Sequence, residues 1–288
     1  MKRFGLVFLF VILLSALSMK GYAEEGGFAY GKFASGAKIY VFGDLANIRK
    51  EPSVKAELVG KVKIGEFVTI KEQSTKTHQV NGFEDYWYKV EYKAKEPVVG
   101  YIWGGTLAKS SLQGKDELIL LGITGLNSPK ESDKKQVEVR LVKKGAIISR
   151  VSFPAIETPD SKQFSYSVTS QELPDKGFVP ATRLLSFAFE YGACDYLNGE
   201  VLLSLNEKNL QYVLSAYSSG NELGSSTAEY IFPKDREGRP NQLILRETTS
   251  VNEPEVDPKT KEEKYIPKKV EQKDKTYQWE GKEFKLIN

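Results

Sequence analysis

Two residue types are almost missing from this chain of 288 residues, which has one cysteine, Cys194, and one histidine, His78. A lone cysteine closes no internal disulfide, so the chain must be held by apolar cores and not by covalent staples. A single histidine excludes a His-rich zinc site, and a Ser-His-Asp triad would need His78 to reach a nucleophile far away in the chain. Thiol catalysis meets the same obstacle, because base and nucleophile must lie within hydrogen-bonding reach and Cys194 has no local base except Asp195. Cys194, in Tyr191-Gly192-Ala193-Cys194, is therefore expected to be a small buried hydrophobe.

Excess charge is also missing once the N-terminus is set apart. Lys2 and Arg3 precede an apolar run, Phe4 to Leu17, and Gly21-Tyr22-Ala23 offers a small-x-small cleavage site, so residues 1–23 read as a secretory signal peptide. At about 1.5 Å per helical residue the run reaches about 21 Å, short of the roughly 30 Å hydrocarbon layer, which favours cleavage near Ala23 over anchoring. No cysteine follows the run to carry a lipid. The whole chain has 41 basic and 38 acidic residues; without Lys2, Arg3 and Lys20 the remainder balances at 38 of each. A nucleic-acid partner requires a basic excess, so none is expected, and neither is stable membrane insertion after cleavage. The reading is of an exported protein, periplasmic or extracellular.

Helical signals are scarce as well, whereas period-2 runs are many. Residues 24–37 are a glycine-rich, flexible lead-in. From 38 to 108 four short apolar runs follow one another at the spacing of a small barrel. Lys38 to Phe42 leads into the polar loop Asp44 to Pro52, anchored by Leu45 and Ile48, and Pro52 turns that loop back. In Tyr86 to Tyr92 the residues Tyr86, Tyr88, Val90 and Tyr92 share one face, which leaves Trp87 on the face of Lys89 and Glu91. Gly100 sits where a neighbouring backbone or side chain can approach closely, with Tyr101 and Trp103 on one side of the last run and Ile102 on the other.

Residues 109–115 are polar and read as a linker to a second domain, 116–288. There ten runs read as strands: Glu117 to Ile123, Gln136 to Val142, Ala146 to Phe153, Gln163 to Val168, Leu184 to Tyr191, Glu200 to Leu205, Leu210 to Tyr217, Thr227 to Phe232, Gln242 to Thr248 and Thr276 to Ile287. Turn residues separate them, among them Lys143-Lys144-Gly145, Asn206 to Asn209, Glu280-Gly281 and, as a candidate type I′ hairpin, Asn198-Gly199. Hairpins without crossover helices predict an antiparallel sandwich, barrel or partial propeller. Residues 252–275 hold seven acidic and seven basic groups and three prolines, the composition of a long solvated loop or an extended hairpin.

Four motifs of the N-terminal segment give a resemblance. Ala46-Asn47-Ile48-Arg49-Lys50-Glu51-Pro52, Val59-Gly60-Lys61-Val62-Lys63-Ile64-Gly65, Trp87-Tyr88-Lys89-Val90 and Gly100-Tyr101-Ile102 stand in the order of the bacterial SH3 (SH3b) family. The chain departs from that pattern at Tyr101, where the family closes with Trp, and in the insert Lys76 to Asp85. The resemblance implies an SH3-like small barrel; with the strand runs of 116–288 the reading is an all-β protein in which that barrel is followed by a larger antiparallel β domain. It also implies a module that docks to peptidoglycan or to a peptide or protein of the cell envelope. Trp87, Tyr101 and Trp103 are the candidate binding residues, since exposed Trp and Tyr offer a flat apolar surface with a hydrogen-bond donor. No catalytic residue, metal or cofactor is expected.

Such modules often accompany wall hydrolases, so the alternative is a hydrolase that uses carboxylates alone in the C-terminal β domain. Glu190, Asp195 and Glu200 fall near one strand pair, the usual place of solvated edge charges. The stretch Asp235 to Gly238 reads as a plain β-turn rather than a calcium loop, because Arg239 stands where an oxygen ligand would be needed and Arg236 adds further positive charge.

Overall fold

A computed structural model describes residues 32–125, 136–155, 166–191, 197–256, 258–261 and 263–288. The signal segment 1–23, most of the lead-in, Cys194 and Asp195 lie outside the described residues. Among the described residues the regular structure is nearly all β, as the period-2 runs imply, and no helix is long and apolar enough to cross a membrane.

The N-terminal sheet comprises β1 (Lys38–Tyr40), β2 (Leu45–Arg49), β3 (Leu58–Lys63), β4 (Phe67–Val80), β5 (Phe83–Lys93) and β6 (Pro97–Trp103), in the order β1-β4-β5-β6-β2-β3. Its inward face carries Ala46, Ile48, Val62, Val68, Ile70, Tyr88, Val90 and Ile102, the alternate positions of each run, and these form one core. Gly100 allows the sheet to curl: a Cβ there would lie 2.6 Å from the Arg49 carbonyl oxygen. The insert is the far end of the β4–β5 hairpin, closed by Asn81 and Gly82 at φ 48° and 74°. Both residues have positive φ, which a two-residue type I′ turn demands and which Asn-Gly supplies at little cost.

The expected linker is instead a strand. β7 (Ser110–Gln113) joins β8 (Leu118–Gly125), β9 (Gln136–Lys143) and β10 (Ala146–Pro154) in a sheet ordered β10-β9-β8-β7. Its serines and glutamine look like linker composition because β7 is a short edge strand, where polar side chains are tolerated.

The remaining strands follow in chain order: β11 (Tyr166–Glu172), β12 (Arg183–Tyr191), β13 (Asn198–Asn206), β14 (Asn209–Asn221), β15 (Gly224–Ile231), β16 (Gln242–Val256), β17 (Glu263–Trp279) and β18 (Phe284–Leu286). β14 and β15 pair only through Ser219–Asn221 and Gly224–Ser226, and the sheet folds there into two leaves. One face of β12 and β13 (Leu185, Phe187, Phe189, Val201, Leu203) packs on Ile119, Leu121, Val137, Val139 and Leu141. Their other face (Leu184, Leu202) packs, with Leu214 and Ala216, on Phe232, Leu243, Leu245 and Trp279 of the second leaf. The middle leaf is thus apolar on both faces, which explains the unbroken Leu-Leu and Val-Leu-Leu runs of β12 and β13.

The sheet of β7–β10 is likewise covered twice. Leu118, Leu120 and Val142, on its outer face, pack against Phe42, Ile64 and Ala108 of the N-terminal module. Gly122 makes room for this contact, since a Cβ there would sit 2.4 Å from the Phe42 ring. Arg140 completes it, donating to the Phe42 carbonyl (2.7 Å), Asp44 (2.9 Å) and Glu138 (2.5 Å).

Asn198-Gly199 is not a hairpin turn. Both residues pair with β14, opposite Ser218 and Tyr217, and the Asn198 side chain accepts the Tyr191 N–H at 2.6 Å. Asparagine serves here as a side-chain acceptor at the strand entrance, a use of the residue that competes with its turn role. The described residues of 252–275 take the hairpin form, as the exposed outer half of the β16–β17 ribbon. Pro254 and Pro267 are accommodated there because neither strand has a third partner at that height, so a missing ladder donor costs little.

Candidate binding groove on the N-terminal module

The outward residues of β2 are Leu45, Asn47 and Arg49, alternating with the buried Ala46 and Ile48. Facing them are Trp87 on β5 and Trp103 on β6, directly opposite each other in the ladder. His78 and Val80, from the extended hairpin, Val54 from the loop after β2, and Thr106 complete a cavity of about 150 Å³. Its rim is aliphatic and exposed (Leu45 48%, Val54 47%, Val80 40%), and its floor is aromatic. None of the nine lining residues is acidic.

Trp87 corrects the sequence reading. It lies on the face of Lys89 and Glu91, yet only 3% of it is exposed. The extended β4–β5 hairpin lays His78 beside it at 6.1 Å between ring centroids, so Trp87 is groove floor and not an exposed platform. Trp103 is half-buried, with His78 edge-on at 5.6 Å and Phe83 at 6.0 Å. Its indole N–H is held by the carbonyls of His78 (2.9 Å) and Asp85 (3.2 Å), which fixes the ring and leaves that donor unavailable to a ligand. Tyr101 does not line the cavity; it is paired in the ladder with Lys89 and Arg49, one step along the strand. The structure therefore brings two of the three expected aromatics together and sets the third aside.

His78, Val80 and Val54 were not legible as lining residues, because they reach the groove through the hairpin and a loop whose paths are set by distant contacts. Asn47 and Arg49 belong to the recognised loop motif, and their alternation with Ala46 and Ile48 was the available signal.

Beneath the groove, Asp85 and Lys109 form an ion pair at 2.6 Å with side chains 2% and 3% exposed. Lys109 lies over the Phe33 ring at 4.6 Å and the Phe83 ring at 5.8 Å, and Asp85 also accepts the Tyr86 N–H at 2.7 Å. Phe83 itself belongs to the core between β8, β9 and the middle leaf.

The other candidates lie elsewhere. Glu200 accepts a hydrogen bond from Ser186, and Glu190 is exposed, two residues along β12 from Ala188, the ladder partner of Glu200. Asp235 accepts the Phe232 N–H at 2.8 Å and its carbonyl takes the Gly238 N–H at 2.9 Å, the turn expected of that stretch. Among the described residues no cluster of His, Cys, Asp and Glu is arranged to hold a metal ion.

The N-terminal module is a bacterial SH3 domain: residues 43–108 match the model of that family, a span that contains all nine groove residues, from Leu45 on β2 to Thr106. No curated protein and no solved structure matches the chain.

Proposed function

We propose that the chain is an exported protein of the bacterial envelope that uses its SH3 module to hold peptidoglycan or a wall-associated peptide, binding without cleaving it. Bacterial SH3 domains commonly bind cell-wall components. The observation that carries the reading is the groove itself, an aromatic floor of Trp87 and Trp103 under an exposed aliphatic rim, on the module that the family model matches. At about 150 Å³ it is smaller than the roughly 300–1,000 Å³ of a small-molecule cleft, so it suits one or two residues of an extended chain.

The test is sedimentation of the purified protein with peptidoglycan sacculi, with soluble muropeptides measured in the same tube. Co-sedimentation without muropeptide release is expected, and Leu45→Glu combined with Val80→Glu should abolish it while leaving the melting curve intact. A protein that stays in the supernatant overturns wall binding, and released muropeptides overturn the non-hydrolytic reading. Trp87→Ala is a poor probe, because emptying a buried indole site costs about 3–5 kcal/mol in stability.

A further inference from the structure

Four arginines among the described residues are not solvent-exposed, and three of them are matched by two carboxylates each. Arg140 meets Glu138 and Asp44, Arg183 meets Glu172 and Glu117, and Arg246 meets Asp274 and Glu237. Arg49 is the exception. It is half-buried in the groove wall, and the one hydrogen bond of its side chain runs from Nη1 to the Ala56 carbonyl at 2.7 Å. No carboxylate among the described residues pairs with it. A guanidinium carries five N–H donors in a fixed fork, so the Ala56 contact orients the group and leaves most of the fork unspent.

The surroundings make this consequential. A cation partly withdrawn from water gains most from a complementary anion, and a planar fork matches a carboxylate through two parallel hydrogen bonds. The groove supplies no such anion, since its lining is Leu45, Val54, Val80, Trp87, Trp103 and Thr106 beside Asn47, Arg49 and His78. Asp85, opposite His78 in the ladder, is committed to Lys109 and does not line the cavity. Asn47, next outward residue on the same strand, adds a carboxamide that can donate to or accept from a peptide backbone.

We propose that the groove recognises a short peptide with a free carboxylate, Arg49 taking the carboxylate while a small apolar side chain rests between Leu45, Val54 and Val80 over the indoles. This inference rests on the reading of the groove as a peptide or wall-binding site, and it narrows the ligand to the carboxylate-terminated end of a peptide in preference to a sugar or an amidated one.

The experiment uses acetyl-Ala-Ala with a free C-terminal carboxylate and the same dipeptide as its amide, titrated into the purified protein and followed by tryptophan fluorescence, since Trp87 and Trp103 line the site. The acid should bind about ten-fold more tightly than the amide, the scale of one charge-assisted pair. Arg49→Gln should bring the two affinities together, and Arg49→Lys should keep part of the preference. Equal affinity of the unaltered protein for acid and amide overturns the proposal without needing any variant to fold, and so does a preference that survives in Arg49→Gln. Binding of sacculi with no response to either dipeptide overturns the carboxylate inference alone. Failure to bind sacculi and both dipeptides overturns it together with the wall-binding function.

Discussion

Asp85 and Lys109 show how single residues tie the groove to the rest of the molecule. Each is almost fully buried, so each depends on the other for charge balance, and the Phe33 and Phe83 rings give the ammonium a favourable quadrupole on either side. Removing one member of such a pair leaves an uncompensated buried charge. Lys109→Met is therefore expected to lower stability by about 3–5 kcal/mol in urea unfolding. Adding Asp85→Asn should recover much of that loss, because the amide oxygen still accepts the Tyr86 N–H without its charge. Additive losses in the double variant would show that the two residues act independently. Trp103 is expected to be unaffected, since its indole N–H is held by the His78 and Asp85 carbonyls and not by the carboxylate, and its fluorescence should change little in Asp85→Asn.

Among the elements, the extended β4–β5 hairpin does two things at once. One side of its end supplies His78 and Val80 to the groove, and Phe83 enters the core of the β layers. Its tip approaches the end of β8 so closely that a Cβ on Gly125 would lie 2.5 Å from the Asn81 carbonyl oxygen. The sheet face beneath the module is equally close-fitting at Gly122. Gly122→Ala is expected to cost about 1–3 kcal/mol by forcing Phe42 aside, visible as a lower urea midpoint with an unchanged slope. A substitution without effect would mean that the module rides loosely on that sheet. The β16–β17 ribbon behaves in the opposite way, because its outer half buries almost nothing. Replacing residues 251–269 by Asn-Gly, between the paired Ser250 and Val270, should move the melting temperature by no more than about 4 °C. A larger fall would assign the ribbon a stabilising contact.

In the whole molecule, the module, the β7–β10 sheet and the two leaves share faces in series. Phe42, Ile64 and Ala108 bury the outer face of one sheet whose inner face is part of the next core. Arg140 spans the same boundary with two hydrogen bonds, to the Phe42 carbonyl and to Asp44. The module is accordingly expected to unfold together with the β layers, in a single calorimetric transition of the whole chain. Two resolved transitions would show independent domains. At the same scale belongs export: intact mass of protein recovered outside the cytoplasm should correspond to a chain beginning near Glu24, and a retained Met1 would refute cleavage.

Most of the strands and the module are legible in local sequence pattern. The ten runs of the C-terminal region contribute to strands, and the inward set of the barrel falls on the alternation of Tyr88 and Val90 and of Ala46 and Ile48, because period-2 patterning and turn chemistry are carried by neighbours a few residues apart. Part of the groove was legible through Trp87 and Trp103, whereas Asn47 and Arg49 were legible only as members of the loop motif. Tertiary structure decided the rest. Trp87 alternates with lysine and glutamate and reads as exposed, yet a hairpin pinned at Phe83 to another core covers it. Ser110 to Gln113 reads as a linker, yet pairs with β8. Arg140 and Glu138 are charged residues of β9, yet both are buried, with Arg140 held by Phe42 and Asp44 of the module. In each case what fixes the residue's surroundings is a partner far away in the chain, and local pattern carries no information about which face a distant segment will cover.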